Sequence, residues 1–104
     1  MNKEPAKIAA FMDVSLQIST TSRYTRTVAK YVKNDRKRRN EVARALKLFI
    51  KNPTHPGLNT ELLKNSEFWT MRVNKSDRIF FLWIENKKHA LLWDIGVHDK
   101  YKRY

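Results

Sequence analysis

Phe68-Trp69-Thr70-Met71-Arg72-Val73-Asn74, Arg78-Ile79-Phe80-Phe81-Leu82-Trp83-Ile84 and Ala90-Leu91-Leu92-Trp93-Asp94-Ile95-Gly96-Val97-His98 are three runs separated by short polar segments. Their alternation of apolar and polar residues is the pattern of half-buried strands, whose side chains point to opposite faces in turn. Lys75-Ser76-Asp77 and Asn86-Lys87-Lys88 suit hairpin connections. The stretch from Phe68 to His98 therefore reads as a three-stranded antiparallel sheet.

Register sets the faces, because a slip of one residue moves every side chain to the other side. Three-residue loops in both hairpins place Asn74 opposite Arg78, Arg72 opposite Phe80, and Arg78 opposite Gly96. One face then holds Trp69, Met71, Val73, Ile79, Phe81, Trp83, Leu91, Trp93, Ile95 and Val97, with no charge among them. The other holds Arg72, Arg78, Asp94 and His98 beside Phe80, Leu82 and Leu92. Loops of two or four residues would separate Arg72 from Arg78 and put a charge into the apolar face. The apolar face is the expected core.

Upstream, Val14, Leu16 and Ile18 alternate with polar residues and predict another strand. Ser19-Thr20-Thr21-Ser22 supplies N-cap oxygens, and Tyr24, Val28, Tyr31 and Val32 follow at helical spacing, predicting a helix over 22–34. Asn34-Asp35 breaks it and caps a second helix, 35–51, with an apolar stripe of Val42, Ala45, Leu46, Phe49 and Ile50 that Pro53 ends. The two form an αα-hairpin. Residues 53–67 read as a loop, with Pro56-Gly57 marking a turn. The fold class is α+β, a small antiparallel sheet packed on a helical hairpin in the order β-α-α-β-β-β. Residues 1–12 form an N-terminal arm, and 13–104 a single domain.

The chain has 22 Lys and Arg against 10 Asp and Glu, a net charge of +12 on 104 residues. That excess favours a polyanionic partner such as nucleic acid, an acidic protein or anionic lipid, and is silent about fold. With no Cys there are no disulfides or thiol ligands, which fits the reducing cytoplasm. The longest apolar run, 79–84, is far short of the ~20 residues a bilayer requires, so no membrane span is expected. His55, His89 and His98 lack metal-ligand spacing, and no Ser sits on a nucleophile elbow. Neither a metal nor another cofactor is expected.

The strand and helix order, the loop Asn52-Pro53-Thr54-His55-Pro56-Gly57-Leu58, and the series Phe-Trp-Thr-Met-Arg-Val-Asn, Asp-Arg-Ile, Leu-Leu-Trp-Asp-Ile-Gly-Val-His-Asp-Lys-Tyr together resemble the RelE/ParE toxin superfamily. The resemblance covers roughly residues 13–104 and rests on the ordered combination. It implies a bacterial toxin of a type II toxin–antitoxin pair, with an acidic antitoxin as partner. RelE-like members cut mRNA on the ribosome without metal and so block translation, whereas ParE-like members poison DNA gyrase and are not nucleases. By the same resemblance Arg78 matches an arginine that contacts the scissile phosphate, Arg72 a basic position on the preceding strand, and His98 and Tyr101 a C-terminal pair. A further arginine that several of those RNases carry after the last strand is absent here, where Val97-His98 stands. The general base is left open.

Metal-independent cleavage of RNA needs a base for the 2′-OH, cations for the phosphorane, and an acid for the 5′-oxygen. His98 is the residue type that could be base or acid, and Arg78 could bridge two phosphate oxygens or simply pair with Asp94. Tyr101, one helical turn after His98, could stack on a base, donate a proton, or only cover the sheet edge. Lys64, Lys75 and Lys100 are candidate RNA contacts, as is the run Arg36, Lys37, Arg38 and Arg39, which could instead meet an acidic antitoxin. The expectation is a ribosome-dependent endoribonuclease. A ParE-like gyrase inhibitor and a non-catalytic or degenerate RNA-binding domain are the rivals.

Overall fold

A computed structural model describes residues 16–103, with side chains through Lys100. The expected arm at 1–12 lies outside the described residues, as does the Tyr101 side chain. Strand β1 (Gln17–Thr20) leads to helices α1 (Ser22–Val32) and α2 (Arg36–Lys51). A 3-10 turn at Pro56–Leu58 and a two-residue strand β2 (Glu61–Leu62) precede β3 (Trp69–Arg72), β4 (Asp77–Ile84) and β5 (His89–Val97). A C-terminal 3-10 segment, His98–Arg103, ends the chain. No helix among the described residues is long and apolar enough to cross a membrane.

The α+β fold with an αα-hairpin over one sheet face is as the sequence predicts. Thr21 caps α1 by accepting from the Tyr24 N–H, and Asp35 caps α2 by accepting from Arg38 N–H. Two additions appear at the sheet edges. The sheet has five strands in the order β1-β5-β4-β3-β2, because the segment expected to be all loop contributes β2 beside β3. The sheet is mixed rather than purely antiparallel, since β1 runs parallel to β5. The two helices carry the chain from β1 at one edge to β2 at the other, and three antiparallel steps then bring β5 back beside β1 in the same direction.

Register differs from expectation in two places. Arg72 pairs with Arg78 and Thr70 with Phe80, so β3 is shifted by two residues and its faces are unchanged. In the second hairpin Arg78 does face Gly96, but a bulge between Phe80 and Phe81 moves the pairing to Phe81 with Leu92. The bulge inserts one residue, Trp93, and inverts the alternation upstream of it. Leu92 and Ala90 therefore enter the core, while Trp93 leaves it to pack edge-to-face on Phe68, ring centroids 5.4 Å apart. The expected positions of Leu91, Leu92 and Trp93 are thereby corrected. The hairpin loop has four residues, Glu85 to Lys88, rather than three, because Ile84 pairs with His89.

The core joins Met71, Ile79, Phe81, Leu92 and Ile95 of the sheet to Tyr24, Val42, Ala45 and Phe49 of the helices. The Tyr24 hydroxyl lies in it with no hydrogen-bond partner among the described residues. Burial pushes its pKa up to about 12. Tyr31 is also raised to about 12, by burial and then by donating to Asp77 Oδ2 at 2.5 Å. A phenol whose folded pKa exceeds its unfolded value of about 10 contributes stability fully below that pH, and loses it as pH rises toward 12. Tyr24→Phe removes an unsatisfied buried hydroxyl, so it should raise stability by ~1–3 kcal/mol. It should also flatten the alkaline limb between pH 10 and 12, as urea titrations across that range would show.

Candidate active site

The sheet face away from the helices is also largely covered, and it holds the polar residues. Thr70, Phe80 and Asp94 are fully buried there, and Arg78 is nearly so. Arg78 is the second residue of β4, after Asp77, whose N–H is held by Asn74 Oδ1 in the hairpin turn. Its Nη1 donates to Thr70 Oγ1 at 3.1 Å and to the Asn59 carbonyl at 3.2 Å, and lies 3.7 Å from Glu61 Oε1. Asn59 adopts φ 46°, a left-handed conformation that Asn tolerates better than most residues. Burial pushes the Arg78 pKa down, Glu61 opposes that, and the Arg72 guanidinium adds to it. Arg72 and Arg78 are direct cross-strand partners, hence on one face, and like charges so placed repel. An anion placed between them would relieve that repulsion.

Glu61 joins Arg78 to the C-terminal segment. Its Oε1 lies 3.4 Å from His98 Nε2, while Asp99 Oδ1 lies 3.5 Å from His98 Nδ1. The Glu61 and His98 side chains are each about half exposed, whereas that of Arg78 is about one-tenth exposed. Carboxylate, imidazole and guanidinium thus share one edge of the sheet, beside β2.

Lys100 fixes the segment that carries His98. Its Nζ donates to Asp94 Oδ1 at 3.0 Å and to the Ile95 carbonyl at 3.1 Å. Its stem crosses Gly96, where an added Cβ would lie 2.8 Å from Lys100 Cδ. Gly96 is the ladder partner of Arg78, so the absence of a side chain there lets the lysine lie against the sheet next to the site. Asp94 accordingly pairs with Lys100 and, at 3.8 Å, with Arg23 rather than with Arg78.

Of the residues singled out from the sequence, Arg72, Arg78 and His98 come together. Lys75 stands near Arg72, lining with it and Arg44 a groove between α2 and the β3–β4 hairpin. Lys64 is exposed in the turn after β2. Lys100 is committed to Asp94. Arg36, Lys37 and Arg39 are exposed on the first turns of α2. Arg38 is held by Tyr31, donating to its carbonyl at 3.1 Å and stacking 4.3 Å above its ring. Glu61 was missed. The only sequence signal for it was a lone acidic residue in a polar segment, and its role appears only when β2 pairs with β3.

The five-stranded sheet with its helical hairpin is a fold shared with solved YoeB/ParE and YafQ structures. Solved structures with this fold include the YoeB/ParE toxin from Agrobacterium tumefaciens, with a TM-score of 0.67, 12% identity, and 80% of this chain and 99% of that one covered. YafQ from E. coli matches with a TM-score of 0.65 and 16% identity over 83% of this chain and 97% of that one. YafQ in the E. coli DinJ–YafQ toxin–antitoxin complex matches with a TM-score of 0.65 and 17% identity over 82% and 94%. No protein-family model matches the chain, and no curated protein matches it in sequence.

Proposed function

We propose that this protein is the toxin of a type II toxin–antitoxin pair and acts as a ribosome-dependent, metal-independent endoribonuclease on mRNA. The observation that supports it best is the single carboxylate of Glu61 set between Arg78 and His98, with Arg72 across the ladder. A gyrase-binding module needs basic surface but no such juxtaposition of base, acid and cation.

In this reading Glu61 takes the proton of the 2′-OH, and the 2′-oxygen attacks the adjacent phosphorus. Arg78, with Arg72, stabilises the charge on the phosphorane oxygens. His98 gives a proton to the departing 5′-oxygen, leaving a 2′,3′-cyclic phosphate and a 5′-hydroxyl. Asp99 on the far side of the ring orients the imidazole. Lys64 and Lys75 contribute phosphate contacts, and the Arg36-to-Arg39 turn contributes affinity for ribosomal RNA. An acidic antitoxin neutralises the same basic surface; among the structures with this fold, E. coli DinJ–YafQ is a toxin–antitoxin complex. A reducing cytoplasm is the compartment this activity implies.

Primer extension on mRNA from translating ribosomes, with purified protein and EDTA present, tests the reading. Cuts within codons support it. No cuts, together with inhibited gyrase supercoiling, move the chain to the ParE-like function. Arg36→Ala should leave cleavage chemistry intact but weaken ribosome binding and lower its log–log salt slope by about 1.

A further inference from the structure

At the end of the sheet far from His98, on the helix-covered face, Trp69 and Trp83 line a cleft of about 430 Å3 together with Pro53, His55 and Asn59. Both indoles are only partly buried. Trp83 stacks on Phe49 from the core side, centroids 5.5 Å apart, which sets its ring orientation. The β4–β5 hairpin tip turns back toward the cleft through three consecutive left-handed residues, Glu85, Asn86 and Lys87. That path places Lys87 Nζ 4.9 Å from the Trp69 ring centroid. Non-glycine residues seldom adopt this conformation, and three in succession make the tip a specific shape. His55 accepts from the Gly57 N–H through Nδ1, so the neutral ring carries its proton on Nε2 and keeps one donor.

Asn59 ties this cleft to the site already described. It lines the cleft, and its carbonyl accepts from Arg78 on the other side of the edge strand. Flat π-surfaces, a flexible cation held over one of them that a base can displace to its margin, and an N–H donor match a nucleobase, which offers a π-face and acceptors on its edge. Lys87 is placed for the phosphate flanking that base, and the +12 charge of the chain favours a polyanion.

We infer that the Trp69–Trp83 cleft is a base-stacking subsite for single-stranded RNA whose backbone passes over the β2 edge to Arg78. This rests on the RNA-cleaving reading and adds to it a determinant of which nucleotide is held beside the cut.

A 2′-O-methylated RNA hexamer carrying 4-thiouridine, which cannot be cleaved, is irradiated with the full chain without ribosomes, and crosslinked peptides are mapped by mass spectrometry. Crosslinks to peptides holding Trp69 or Trp83 are expected. Trp69→Leu should raise the Kd for the hexamer roughly 5- to 150-fold, the loss of one stacked base. Lys87→Asn, at an exposed tip residue in a conformation Asn tolerates, should raise it roughly 2- to 5-fold and decides the matter if Trp69→Leu does not fold. Crosslinks confined to α2, with Lys87→Asn binding as the parent does, would overturn the subsite while leaving mRNA cleavage intact. So would protection of the two indoles from acrylamide quenching by an acidic peptide and not by the hexamer. Absence of RNA binding together with absence of mRNA cleavage would overturn both readings.

Discussion

Arg78→Ala should cut the rate of mRNA cleavage ~10²–10³-fold, the loss expected when one preorganised donor to a developing anion is removed. Glu61→Gln and His98→Ala should each cost ~10²–10⁴-fold, since they remove the base and the acid. The three act on one phosphate, so their losses should not add. Glu61→Gln combined with Arg78→Ala should be far less defective than the product of the single effects. Arg78→Lys should rescue little, because an ammonium cannot span two phosphate oxygens as the planar guanidinium does. Single-turnover cleavage on programmed ribosomes measures all five, with thermal melts confirming that each variant is folded. Full cleavage by Arg78→Ala or by Glu61→Gln would remove the proposed site.

Phe49→Ala should destabilise the protein by ~3–5 kcal/mol. Phe49 is fully buried on α2 and meets Phe81 edge-to-face at 4.9 Å and Trp83 in a stack at 5.5 Å. Phe81 and Trp83 are in turn edge-to-face at 5.3 Å, so one truncation opens a cavity beneath two sheet aromatics. Against a typical domain stability of about 5–15 kcal/mol, that is a large share. Ile50→Ala, one position along and about half exposed, should change stability by no more than ~0.5 kcal/mol. Urea midpoints for the two variants make the comparison, and equal effects would mean that α2 does not pack through Phe49.

Periodicity and local signals alone determined the fold class, the two helices with cap sources in Ser19-to-Ser22 and Asn34-Asp35, and the three C-terminal strands. They did so because each rests on contacts a few residues apart: an apolar stripe at 3.6, an alternation at 2, an oxygen before a helix. The same alternation put Arg72 and Arg78 on one face, and the two-residue shift in β3 preserved that parity. What escaped the sequence depends on pairings between distant segments. The bulge that drives Trp93 out and Leu92 in is set by how β4 and β5 fit over the helices, and alternation cannot register one inserted residue. Strand β2 is only two residues long, too short to have a period, and exists because its backbone finds the open edge of β3. Glu61 becomes a neighbour of Arg78 and His98 through that pairing. Lys100 could be read from sequence only as one more surface cation. The side-chain-free backbone at Gly96 and the buried carboxylate of Asp94 turn it inward, and that placement belongs to the tertiary structure alone.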